Sequence, residues 1–363
     1  MKSTFDIAKT PMTVVWEATQ SCDPAYCYET GQPERDPLEL NTKEAEKMIR
    51  DIAELKPPVF IIEGGDPLAR NDIFSLICYA GSCGLHPALV LDASFALTRN
   101  VIAELKNSGL ARLGLRVDGS TAELHDSITR HPKGFEHTRR AMQVANEWRL
   151  PLQIHTDLCR HNLNDLENIA ALLKQHRVML WIITFPVPDG KLLPEDVLTA
   201  EEFEQAFATI YKISQQVSFK IKTVEAQHYR RFVLQQRSQE RADKLWNPAQ
   251  DSFEANGIPG ILPLNEGLAT AYISNTGEVY PSACFPLSAG NVRVQPLKDV
   301  YREAELFRLF RETRRLTGKC GRCSFHDVCG GSRARALRAY GDMFQQDSCC
   351  AYEPPLRPEP KTV

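Results

Sequence analysis

The run Val14-Val15-Trp16-Glu17-Ala18-Thr19 is strand-like, and it delivers the chain into Ser21-Cys22-Asp23-Pro24-Ala25-Tyr26-Cys27-Tyr28. A β-rich run emptying into a loop sets a pattern that then repeats. Short apolar runs recur at 12–18, 58–63, 88–92, 111–117, 152–157 and 178–185. Segments with helical spacing of apolar residues lie between and after them, at 42–55, 71–83, 97–108, 134–147, 163–176 and 199–216. Strands that alternate with helices require right-handed crossovers and a parallel sheet covered by helices. Six such units predict an α/β fold, a partial (β/α)6 TIM-like barrel, with functional groups at the carboxyl ends of the strands.

Beyond residue 216 the pattern changes. A strand-like stretch at 219–225 and a charged helix from His228 to about Trp246 precede a region broken by Pro248, Gly257, Pro259, Gly260 and Pro263. A hairpin follows, with Gly267 to Ser274 as the first strand, Asn275-Thr276-Gly277 as the turn and Glu278-Val279-Tyr280-Pro281 as the return. The expected division is a barrel at 1–216, a bridging segment at 217–262, a cysteine-bearing domain at 263–353 and a Pro-rich tail at 354–363.

Hydrophobic content of 43%, charged content of 25% and a formal net charge of -3 describe an ordinary globular protein with no global attraction for nucleic acid. No apolar run approaches the roughly 20 residues of a membrane-spanning helix, and no charged and apolar leader opens the chain. A cytoplasmic location without a membrane partner is expected. Eleven cysteines are many for such a compartment, where clustered thiols favour metal over disulfide.

The cysteines crowd the C-terminal end. Cys320-Gly321-Arg322-Cys323, Cys329-Gly330-Gly331-Ser332-Arg333-Ala334-Arg335 and Cys349-Cys350-Ala351-Tyr352-Glu353-Pro354 give CxxC, a third cysteine and a distant fourth. Short CxxC loops let sulfurs converge, and by spacing alone zinc and an iron-sulfur cluster both suit. Arg333, Arg335 and Arg338 are expected on a solvated helix face. Elsewhere Glu63-Gly64-Gly65-Asp66-Pro67-Leu68 follows the second strand, Arg116-Val117-Asp118-Gly119-Ser120 the fourth, and Gln153-Ile154-His155-Thr156 closes the fifth. Singly, these read equally well as a turn, a strand-end salt bridge and a core histidine. Together, their order and positions point to one pocket.

In that order they resemble the radical S-adenosylmethionine (SAM)/SPASM superfamily over nearly the full chain, in the branch of heme-biosynthesis enzymes. The loop with Cys22 and Cys27 resembles the family's CxxxCxxC, short by two residues and the middle cysteine. The resemblance implies that Gly64, Gly65 and Asp66 correspond to the GGEP segment that holds the amino group of SAM. Arg116 stands where the family has a serine near the SAM ribose, close to Asp118 and His155. It assigns Cys320, Cys323, Cys329 and Cys350 to one auxiliary 4Fe-4S cluster. Cys350 is preferred to Cys349 because it precedes Ala351-Tyr352-Glu353-Pro354. Ser282 and Ser332 stand where some members carry further cysteines, and Cys284 is expected to be a core thiol.

Intact relatives use a reduced cluster to cleave SAM into a 5'-deoxyadenosyl radical. Three thiolates hold that cluster, and Cys22 with Cys27 supplies two. The expectation is therefore a divergent homologue in which the SAM cluster, and with it SAM chemistry, is impaired or lost while the auxiliary cluster remains. Two alternatives stand beside it: an active enzyme whose cluster is completed by another ligand such as Tyr26, and a zinc-stabilised binding module. The implied partners are a tetrapyrrole-like small molecule or a peptide, and an electron-transfer protein.

Overall fold

The computed structural model describes residues 5–23, 33–188, 196–242 and 267–355. Tyr26 and Cys27, the bridge from 243 to 262 and the tail from 356 lie outside the described residues.

Among the described residues seven strands run in parallel and in chain order: β1 (Thr13–Thr19), β2 (Val59–Gly64), β3 (Pro87–Leu91), β4 (Arg112–Arg116), β5 (Leu152–Asp157), β6 (Val178–Thr184) and β7 (Lys220–Val224). The sheet thus departs from the expected six strands, because 219–225, assigned to the bridge, supplies a seventh paired with β6. The hairpin strands β8 (Thr270–Ile273) and β9 (Glu278–Tyr280) add to the opposite edge, β8 lying parallel to β1, and β10 (Gly290–Asn291) ends a ten-stranded sheet. The barrel and the C-terminal part therefore share one sheet.

Helices α1 (Thr42–Leu55), α2 (Ile73–Ser82), α3 (Arg99–Asn107), α4 (Ala122–Thr129), α5 (Gly134–Glu147), α6 (Leu166–Leu173), α7 (Ala200–Ser214) and α8 (Tyr229–Ala242) accompany the parallel strands. Capping boxes start α1 at Asn41 and Glu44 and α7 at Thr199 and Glu202, which fixes where the chain leaves each loop. Alternate residues of the strands, such as Val14, Trp16, Ile62, Leu113, Leu115 and Ile154, are buried in the main core. The intervening residues, Glu17, Glu63, Arg116 and His155 among them, project from the other face. Short helices α9 (Leu297–Glu303), α10 (Glu305–Arg311), α11 (Gly318–Arg322) and α12 (Arg333–Tyr340) complete the C-terminal part. Cys284 packs beside a satellite core of Val187, Phe285, Phe310, Ala334 and Met343. Among the described residues no helix is long and apolar enough to cross a membrane.

Candidate iron-sulfur and SAM sites

The loop after β2 lies on the loop after β1. Gly65 N donates to Thr19 O at 2.8 Å and Asp66 N to Ser21 O at 2.8 Å. Only glycines allow this approach. A Cβ on Gly64, whose φ is +139°, would stand 2.2 Å from Thr19 O, and one on Gly65 would stand 2.5 Å from Ser21 O and 3.0 Å from Cys22 Cβ. Gly64, Gly65 and Asp66 are thus brought against the buried Cys22. The Asp66 carboxylate caps the turn Pro67–Ala69 by accepting from Leu68 N at 3.0 Å, and burial pushes its carboxyl above the usual range.

At the ends of β4 and β5 the Arg116 guanidinium bridges two acids, Asp118 through Nε and Asp157 through Nη2 at 2.8 Å. Asp118 is fully buried, accepts from Asp157 N at 2.7 Å, and gives its own N–H to His125 Nδ1 at 3.0 Å. Burial pushes the Asp118 carboxyl up to about 7 despite Arg116, and the neighbouring charge of Asp157 adds to the rise. His155 bonds to the Gln153 amide at 2.6 Å, and burial lowers its pKa to about 4, so it is neutral. Arg116 is therefore held by acids of its own chain.

The C-terminal cysteines face one cavity. Cys320 on α11, Cys323, Cys329 and Cys350 all line it, whereas Cys349 packs beside the main core. The thiols share a local geometry. Phe325 N donates to Cys323 Sγ and Gly331 N to Cys329 Sγ, both at 3.4 Å, and Tyr352 N to Cys350, in each case from two residues on. Cys320 Sγ accepts from Asp347 N at 3.4 Å. Burial pushes the Cys323 and Cys329 thiols up and that of Cys350 to about 11, so thiolates here need a cation to stabilise them. Among the described residues no group of three His, Cys, Asp or Glu side chains is arranged to hold a single metal ion. Four soft donors around one space, with N–H groups directed at sulfur, fit an iron-sulfur centre.

Arg333 and Arg335 are not solvated, contrary to the expectation from their charge. Arg333 Nη1 donates to Met343 O and Gln345 O, both at 2.6 Å. Arg335 is 2% exposed and pairs with the fully buried Asp347, which also accepts from Ser332 N at 2.7 Å and Cys349 N at 3.0 Å. Burial opposes the Asp347 carboxylate, yet Arg335 holds it far below the usual range. The buried Glu225 accepts from Ser282 Oγ at 3.3 Å and Ser332 Oγ at 2.7 Å, so both serines of the cysteine-replaced positions meet on one carboxylate. Burial raises the pKa of that acid. Glu225, His228 and Asp347 escaped the motif reading. The first two lie just after β7, and treating 219–225 as a barrel strand would have marked its carboxyl end.

A parallel half-barrel with a tetrathiol appendage defines the class of radical SAM proteins carrying an iron-sulfur domain. The Radical SAM superfamily model matches residues 25–173, and the SPASM iron-sulfur cluster-binding domain model matches 266–324. The AdoMet-dependent heme synthase of Oleidesulfovibrio alaskensis is 33% identical over 350 residues, covering 95% of this chain and 88% of that protein. The AdoMet-dependent heme synthase of Methanosarcina barkeri is 30% identical over 346 residues, covering 95% and 97%. Streptococcus suis SuiB bound to S-adenosylmethionine shares the fold with a TM-score of 0.69 at 15% identity, covering 95% of this chain and 78% of that one. The chain belongs to the radical SAM superfamily, among its SPASM-domain members.

Proposed function

We propose that this chain is an iron-sulfur protein of the heme-synthase branch that holds one auxiliary 4Fe-4S cluster on Cys320, Cys323, Cys329 and Cys350. Its SAM-cluster loop, one thiolate and two residues short, does not retain the SAM-cleaving cluster. The chain then binds an anionic, tetrapyrrole-like molecule or passes electrons, in the reducing cytoplasm where its thiols stay available. The observation that carries this reading is the convergence of four of the eleven cysteines on one cavity while Cys349 turns away. The cluster would supply one-electron redox capacity. The residues around it supply buried N–H donors to sulfur and exclude water. A tetrapyrrole is favoured over a peptide by the two heme-synthase relatives matched along 95% of the chain.

Iron and sulfide quantitation after anaerobic reconstitution is the test. One cluster per chain is expected, rising to two when the two-residue gap is refilled with Cys-Lys. Two full clusters in the unmodified chain would overturn the loss of the SAM cluster. A colourless protein with one zinc would overturn the iron-sulfur assignment.

A second reading, an active enzyme with an unusual ligand, is supported by the glycine loop that still packs on Ser21 and Cys22. Reductive cleavage of SAM to 5'-deoxyadenosine by the reconstituted chain under strong reductant would establish it.

A further inference from the structure

His228 stands at the wall of the cysteine cavity, buried with its ring nitrogens poorly satisfied among the described residues. It follows β7, is 0% exposed, and lines the same space as Cys320, Cys323, Cys329 and Cys350. Its ring is clamped in an aromatic slot, stacked on Phe203 at 5.1 Å between centroids and edge-on to Phe207 at 4.8 Å. The ring therefore cannot swing to find solvent. Among the described residues neither Nδ1 nor Nε2 makes a hydrogen bond of ordinary geometry, the Cys349 backbone offering only a weak contact. The nearest carboxylate oxygen, Asp347 Oδ2, lies 3.8 Å from Nδ1, beyond hydrogen-bonding distance, and it already serves Arg335 and Ser332 N.

A buried imidazole left unpaired is costly, and such a group calls for a partner that occupies the cavity. His326, which also lines the cavity, is different because its Nδ1 lies 2.7 Å from the Cys323 carbonyl. An imidazole keeps at least one ring N–H in either protonation state, so the buried ring has a donor to offer. Arg231, Lys319, His326 and Asp347 line the cavity beside the four cysteines, and N–H groups from Phe325, Gly331 and Asp347 already point at three of the thiols. The His228 ring N–H would add a further donor to that shell.

We propose that His228 is a positioning residue that donates its ring N–H to a sulfur of the auxiliary cluster and thereby raises that cluster's reduction potential. The inference rests on the cavity being the cluster site. Hydrogen bonds to cluster sulfur offset the extra negative charge of the reduced form and favour it.

The test uses the full chain in a C22S/C27S background, reconstituted anaerobically so that only the C-terminal centre contributes. Pulsed EPR of the reduced protein, with and without 15N-histidine labelling, is expected to show a weakly coupled histidine nitrogen that is lost in His228→Phe. That variant keeps an aromatic ring between Phe203 and Phe207 and is expected to bind wild-type amounts of iron and sulfide. Its potential should shift to more negative values, and His228→Gln, which retains an N–H donor, should recover part of the shift. Unchanged potentials at equal iron content would overturn the proposal. So would the absence of histidine coupling in the unsubstituted ring, or a strong coupling that marks direct iron ligation. Failure of the C22S/C27S protein itself to bind iron and sulfide would bring down the cluster assignment as well, and metal analysis separates that result from the others.

Discussion

Arg335 and Asp347 form a two-pronged ion pair closed to solvent, Nε to Oδ1 at 2.9 Å and Nη2 to Oδ2 at 3.1 Å. The pair ties α12 to the loop before Cys349 and Cys350, and Asp347 N reaches Cys320 Sγ. Asp347→Asn removes the counter-charge and leaves the Arg335 guanidinium buried beside a neutral amide. We expect a loss of about 3 kcal/mol or more, read by urea denaturation of the reduced, metal-free chain. A variant as stable as the parent would show that Arg335 finds another anion.

Cys349 and Cys350 are adjacent in sequence, yet only Cys350 lines the cavity. Cys350→Ser is expected to lower bound iron and sulfide sharply, with loss of visible charge-transfer absorption. Cys349→Ser should leave both unchanged. The reverse pattern would exchange the two assignments.

Gly65 faces a backbone oxygen at a distance no Cβ tolerates, 2.5 Å from Ser21 O. Gly65→Ala should destabilise the chain by about 1–3 kcal/mol through overpacking against the loop after β1. Gly81→Ala is the control, because it lies within α2 and a Cβ there meets nothing within 4 Å. That substitution should be neutral or gain about 0.5–1 kcal/mol from helix propensity. Thermal melts of the two variants separate the effects, and equal melting temperatures would sink the packing account.

Strong periodicity made most of the barrel legible. The expected spans 42–55, 134–147 and 152–157 coincide with α1, α5 and β5. α4 left little trace, since its turns Ala122–Thr129 bury only His125 and Thr129 and its start depends on the Thr121 cap. β7 is strand-like in sequence yet falls in the expected bridge because the strand–helix alternation changes after 216; its Lys220 and Lys222 suit its place as an edge strand. The cysteine spacing exposed the metal-binding end directly. The partners beneath it were hidden for a different reason: Arg335 resembles a solvated charge until folding brings Asp347 to it across 12 residues, and Glu225 reaches Ser332 across 107. Pairings over such separations depend on the fold, and no local pattern encodes them.

His125 gives a pH dependence whose sign is fixed by a hydrogen bond. Its Nδ1 accepts from Asp118 N at 3.0 Å, so protonation there would set two donors against each other. Burial lowers its pKa from 6.5 to about 4, with Arg116 adding to the shift. The unfolded chain therefore binds this proton more readily, and the stability that neutral His125 contributes is present above pH 6.5 and lost as pH falls toward 4. At pH 5 this loss amounts to about 2 kcal/mol. His125→Asn keeps an acceptor for Asp118 N and does not titrate. Measured by chemical denaturation at pH 7.5 and pH 5, the parent should lose about 2 kcal/mol more than the variant. Equal losses would show that His125 is already protonated, or finds another acceptor, in the folded chain.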